Sequence, residues 1–96
     1  MPSSEARVAL DQPTRYMSQL CKHFQHKIPV TLEDRHGAIQ FPSGPCRLEA
    51  GDAELLLQVS AETDEALAQL QDVVGRHLLR FTFRDPPAIV WQPAAG

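Results

Sequence analysis

Four short segments in which apolar and polar residues alternate follow one another between Ile28 and Val59, and this run constrains the fold most strongly. Alternation with a period of two predicts β-strands that bury one face. The predicted strands cover residues 28–33, 39–41, 46–50 and 54–59. Because turn-forming residues fill each gap, the connections are short and favour an antiparallel meander.

A further strand and an amphipathic helix precede this run. Alternation from Glu5 to Leu10 predicts the strand. Asp11 is a candidate N-cap for the helix, and Pro13 suits its first turn because a helix start leaves that N–H unbonded. We expect the helix to reach residues 25–26. Its apolar stripe consists of Met17, Leu20, Cys21 and Phe24.

A second helix is predicted after the meander. Thr63 is a candidate N-cap, and the acidic residues that follow it suit the positive end of the helix dipole. Apolar residues then recur at helical spacing as far as Phe81. Gly75 lies on the opposite side of the helix from this stripe, so we expect it to face solvent.

The prolines at positions 86 and 87 end the second helix, and residues 88–92 are predicted to form a last strand. A frayed tail is expected over 93–96. The order β-α-β-β-β-β-α-β gives each strand one apolar face and each helix one apolar stripe. We therefore predict a single α+β domain over residues 1–96, a two-layer sandwich with both helices on one face of an antiparallel sheet.

The other face of the sheet is expected to be open. Its predicted occupants, apart from Leu56, are polar and mixed in charge: Thr31, Glu33, Gln40, Arg47, Glu49, Glu54 and Gln58. Leu56 on this face suggests one alternative function, a homodimer joined through the open face or through a sheet edge.

Charge and hydropathy exclude several classes of partner. The chain has 12 acidic residues against 9 Lys and Arg, a net charge of −3, and no basic cluster, which argues against nucleic acid. It has no apolar run of about 20 residues that would cross a membrane and no signal peptide. We therefore expect a cytoplasmic protein with reduced thiols.

The carboxyl end of the first helix concentrates basic and titratable side chains. Lys22, His23, His26 and Lys27 lie there, and Tyr16 flanks the apolar stripe on the same side as His23. These are the candidate residues for binding a small anionic ligand or a protein partner. The alternative is a solvated basic helix end, which the negative end of the helix dipole also favours.

Cys21 and Cys46 are weak candidates for a metal or redox site, the third functional alternative. Their spacing matches no standard zinc motif, and His23 projects about 160° away from Cys21 on the helix. Each cysteine lies on the apolar side of its element, so we expect two core thiols, close enough to be oxidised together. No cofactor is expected.

No arrangement typical of catalysis is present. No nucleophile stands beside a base, no glycine-rich loop precedes a helix, and the carboxylates are scattered. His77 lies at the edge of the second helix's apolar stripe and is predicted to be a hydrogen-bonded core residue. A non-enzymatic domain is therefore favoured.

The run Leu20–Lys27 forms a distinctive pattern together with segments 41–42, 46–50, 80–84 and 91–92, and the run is its most specific part. In these residues the chain resembles the bacterial family called domain of unknown function 2218. The resemblance covers nearly the whole chain and implies no assigned activity. Some members resemble companions or carboxy-terminal extensions of siderophore-interacting reductases. The resemblance therefore implies an accessory role in siderophore or iron metabolism.

Overall fold

The computed structural model describes residues 2–84 and 86–93, which form two helices on one face of a six-stranded antiparallel sheet. The predicted fold class and element order are confirmed. The strands are β1 (Ser3–Ala9), β2 (Val30–Glu33), β3 (His36–Phe41), β4 (Gly44–Ala50), β5 (Glu54–Ser60) and β6 (Gln92–Pro93). The helices are α1 (Pro13–Phe24) and α2 (Asp64–Phe81).

The strand order across the sheet is β2-β3-β4-β5-β1-β6. The meander from β2 to β5 follows the chain, whereas β1 pairs with β5 from a distant part of the sequence. One row across the sheet joins Ala6, Leu57, Leu48 and Gly37, all on the face that the helices cover. This register buries every second residue of the inner strands.

The core lies between the sheet and the two helices. In the α1 stripe, Met17, Leu20 and Cys21 are fully buried, as the periodicity of the sequence predicts. The α2 stripe buries Leu70, Val74 and Leu78 in the same layer. Burying a large aliphatic side chain stabilises a fold by about 1.5–3 kcal/mol, so these stripes fix both helices on the sheet.

The start of α1 differs from the prediction. Gln12 is the N-cap residue and makes no side-chain cap hydrogen bond, so the assignment of Asp11 as the cap was wrong. The amide of Leu10 still donates to the carbonyl of Ala53, so the chain follows the sheet as far as Leu10, two residues before the N-cap. Thr63, by contrast, caps α2 as predicted and accepts a 3.0 Å bond from the amide of Ala66.

The back of α2 is covered by the C-terminal segment, which the sequence did not predict. Gly75 is buried, because Ile89 and Trp91 pack across the helix beside it. The strand expected over 88–92 is shorter and later, since β6 holds only Gln92 and Pro93. Pro93, expected to fray, pairs with Ser4. Asp85 and residues 94–96 lie outside the described residues.

The predicted strand over 46–50 begins earlier than expected. Gly44 and Pro45 already pair with β3, so the turn between β3 and β4 is only Pro42 and Ser43. Gly44 has φ +151°, and a Cβ at this position would overlap the carbonyl oxygen of Ser60. Glycine is therefore required where β4 passes the end of β5.

The open face of the sheet has the composition that the sequence predicts. Its charged and amide side chains remain exposed or half-exposed, and Leu56 is half-buried between Arg7 and Glu49 of the neighbouring strands. Arg7 forms a 3.0 Å ion pair with Glu54 on this face. An exposed pair of this kind contributes under about 1 kcal/mol, so the face is a solvated surface.

Candidate functional site

The two helices run in opposite directions and enclose a groove on their outer side. Tyr16, near the start of α1, shares a cavity with Arg84, just after α2, while His23 near the end of α1 lies against His77, one turn before the end of α2. We call this surface the interhelical groove. Its members are Arg15, Tyr16, Gln19, His23, His77, Arg80, Phe81, Phe83 and Arg84.

One end of the interhelical groove is a cavity of about 360 Å³ with a strongly basic lining. Arg15, Arg80 and Arg84 supply three guanidinium groups, and the remaining lining residues are Tyr16, Gln19, Phe81 and Phe83. No carboxylate is among the described residues that line it. The Arg84 guanidinium carbon lies 5.9 Å from the centre of the Phe83 ring, a cation–π distance.

These three arginines are not engaged by carboxylates of the described chain. The ion pairs within residues 2–84 and 86–93 use Arg7, Arg35 and Arg76 instead. Arg15 donates a 3.3 Å hydrogen bond to the neutral side chain of Gln12. Three positive charges that no carboxylate of the described residues pairs with attract anions, because the potentials add inside a concave surface.

Gln19 also lines this cavity. Its Oε1 atom is buried and has no hydrogen-bond partner among the residues described. An unsatisfied buried acceptor costs about 1–3 kcal/mol.

A second hollow of about 460 Å³ lies next to this cavity. Tyr16 and Arg84 line both cavities. The second hollow is otherwise lined by Leu10, Asp11 and small residues. A ligand with an anionic head in the basic cavity therefore has room for a body beside Tyr16.

The other end of the groove holds two histidines. The rings of His23 and His77 lie 5.2 Å apart between centres, and the Phe81 ring lies 5.9 Å from that of His23. Nδ1 of His77 is 2.7 Å from the carbonyl oxygen of Val73. Because a carbonyl only accepts, this nitrogen carries the proton. The hydrogen bond predicted for His77 is therefore confirmed, but the residue is half-buried and does not belong to the core.

The pKa of His23 is lowered from its ordinary value. Desolvation is the largest cause, followed by the positive charges of His77, Arg80 and Lys27. Desolvation and these neighbouring positive charges both favour the neutral form of the His23 ring.

Only part of the predicted ligand-binding set meets at this groove. Tyr16 and His23 belong to it, although the His23 side chain is exposed. Lys22, His26 and Lys27 are exposed and are not among the groove residues. Lys22 projects about 100° away from His23 around the helix.

The sequence prediction missed the three cavity arginines and Phe83. For Arg80, Phe83 and Arg84, the local signal is the alternation of basic and aromatic residues from Arg80 to Arg84.

Stability should decrease below pH 6.5 because of His23. Since folding lowers its pKa, this contribution is complete above 6.5, the ordinary value, and is lost as pH falls through the folded-state pKa. Urea unfolding at pH values on both sides of 6.5 measures the effect. His23→Gln should flatten the pH dependence, and an unchanged slope in that variant would contradict this role.

The two cysteines are fully buried thiols, as predicted. Burial raises the pKa of Cys21 to about 11, and burial together with Cys21 raises the pKa of Cys46 further. Both remain protonated at neutral pH, whereas metal binding and redox exchange use the thiolate. No group of three metal-ligating side chains occurs within residues 2–84 and 86–93. Their joint oxidation stays a prediction.

Neither described helix is long and apolar enough to cross a membrane.

Comparisons with known proteins place the chain in a family. The chain is similar to the NMR structure of PA4090 from Pseudomonas aeruginosa, with 34% identity, a TM-score of 0.83 and coverage of 100% of both chains. No curated protein matched. Residues 5–92 match the family model described as an uncharacterized protein conserved in bacteria, and the chain belongs to this family, DUF2218.

Proposed function

We propose that this protein is a small non-enzymatic binding domain that holds an anionic ligand in the interhelical groove. The observation that carries the proposal is the cavity formed by Arg15, Arg80 and Arg84, with no carboxylate among its described lining residues. The whole chain has a net charge of −3, so this basic surface runs against the overall charge.

The lining favours a ligand that is planar as well as anionic. A guanidinium group presents several donors in one plane and matches carboxylate or phosphate oxygens in pairs. Phe81, Phe83 and Tyr16 add apolar rings beside these charges. Aromatic surface of this kind packs against flat ligands, so an aromatic carboxylate, a phosphate ester of an aromatic alcohol or a catecholate complex fits the chemistry.

An accessory role in siderophore or iron metabolism is compatible with this chemistry. Ferric catecholate complexes are negatively charged and present aromatic rings on their surface. The family resemblance suggests members that are linked to siderophores, and for this reason such complexes should be tested first. The ligand, rather than a metal held by protein side chains, would then carry the iron.

Replacing Arg80 with glutamine is expected to weaken ligand binding about tenfold, or about 1.4 kcal/mol, because one charge-assisted contact is lost. The measurement is a titration followed by backbone amide shifts, with salicylate, phenyl phosphate and a ferric catecholate complex as probes. The matched control is Arg47→Gln, which removes a charge from the open sheet face.

Two results would contradict the proposal. One is equal affinity in the Arg80→Gln variant and the wild type. The other is a set of shifts that map to the open sheet face instead of the interhelical groove. Arg47→Gln should leave both the affinity and the pattern of shifts unchanged.

A further inference from the structure

Strand β2 forms one outer edge of the sheet, and its outward side is unpaired within the described residues. The amide of Gln40 donates to the carbonyl of Pro29 at 3.0 Å. Bonded and non-bonded pairs alternate along an antiparallel ladder. Thr31 and Glu33 are therefore the residues bonded to β3, and Val30 and Leu32 direct their N–H and C=O groups outward.

This edge is four residues long and follows Pro29, but it has few of the other features that usually protect a free strand. Edge strands are commonly shortened or interrupted by lysine, proline or a bulge. The opposite edge is protected in this way, because β6 has two residues and one of them is Pro93. Residues 30–33 contain neither lysine nor proline, and Leu32 is 37% exposed.

The exposure of Leu32 has a local cause. Leu32 lies on the helix-covered side of the sheet, directly opposite Gly37. Gly37 has no side chain, and the space above it is taken by Cys21 and Met17 of α1. Leu32 therefore lies beyond the cover of the helix, with its apolar surface and its backbone groups exposed at the same edge.

We infer that β2 pairs with β2 of a second copy of this chain, antiparallel, about a two-fold axis at Thr31. Val30 of each copy then faces Leu32 of the other, and these two pairs exchange four backbone hydrogen bonds. The outward-directed N–H and C=O groups of Val30 and Leu32 are then hydrogen-bonded, and Leu32 is covered by an apolar side chain. Thr31 faces its own counterpart, a favourable cross-strand pair.

This register also avoids repulsion between like charges. Glu33 faces Pro29 of the second copy, so the two glutamates do not meet. One continuous sheet then runs through the two copies.

The test is sedimentation velocity of the full chain over a concentration series. Leu32→Pro removes an outward N–H without removing a bond to β3, so it should be folded and monomeric where the wild type is dimeric. Leu32→Lys, which places a charge at the seam without changing the backbone, should behave in the same way. The matched control is Leu56→Ala on the open face, which should remain dimeric.

Three outcomes would overturn the inference. The first is a wild type that is monomeric at every concentration. The second is that both Leu32 variants dimerise as the wild type does, and the third is that Leu56→Ala dissociates the dimer. Far-ultraviolet circular dichroism of each variant shows whether it is folded. Should Leu32→Pro fail to fold, Leu32→Lys decides the question.

Discussion

Gly44→Ala is expected to destabilise the fold by about 3 kcal/mol. Gly44 has φ +151°, a conformation that an alanine adopts only with strain. Its new methyl group would overlap the carbonyl oxygen of Ser60 and lie 3.3 Å from the Cα atom of Ala61. Both neighbours are backbone atoms, which cannot rotate away as a side chain can. Strand β4 and the end of β5 would have to separate.

Urea unfolding monitored by circular dichroism measures this effect. Gly75→Ala is the matched control, since its methyl group would lie 3.7 Å from Cδ1 of Ile89, an ordinary contact. That substitution should stabilise the protein by up to about 1 kcal/mol, because alanine is the better helix former. Loss of stability at position 75 similar to that at position 44 would contradict the geometric explanation.

Gly37→Ala is expected to cost about 2 kcal/mol by overpacking. An added Cβ would lie 2.9 Å from Sγ of Cys21, whereas its next neighbours, in Leu48 and Met17, are 3.7 Å away. The clash therefore has one identifiable partner. Because Cys21 is held in the core on α1, the helix must shift slightly away from β3 to relieve it.

A double-mutant cycle tests this pairing. Cys21→Ala alone should cost about 1 kcal/mol through loss of packing, but it removes the atom with which the new methyl group collides. The double variant should then be more stable than the sum of the two single changes by at least about 1 kcal/mol. Simple additivity would show that the crowding arises elsewhere.

The secondary structure was predictable because it follows from short-range periodicity. Alternation identified the strands, and spacing at helical intervals placed Met17, Leu20 and Cys21 on one buried stripe. Thr63 was identifiable as a cap because two acidic residues, which suit the first turn of a helix, follow it directly. In each of these cases, residues within one or two turns of each other determine the structure.

The errors arose where distant segments meet. Gly75 looked solvent-facing because one apolar stripe suggests one covering layer, whereas Ile89 and Trp91 form a second cover. Asp11 looked like a cap because nothing local shows that Leu10 is still bonded to Ala53. The pairing of β1 with β5 likewise depends on side-chain fit across the whole sheet, which no local pattern reports.

The interhelical groove was only partly predictable for the same reason. His23 and Tyr16 could be placed together because both lie on α1. Arg80 and Arg84 lie far away in the sequence, and each resembles an ordinary solvated residue at a helix end. Only the antiparallel packing of α1 on α2 brings these charges to one cavity.

The pairing of Ser4 with Pro93 has a consequence for engineering and evolution. The amide of Ala61, just after β5, also donates to the carbonyl of Pro2. The segment from Pro2 to Ser4 is therefore held from the β5 side and from the β6 side. Two ends that meet in this way can be ligated by a short peptide and new termini opened at Pro42–Ser43 without cutting a helix or strand. The same geometry allows the unit to be spliced into a surface loop of a larger protein through two adjacent junctions.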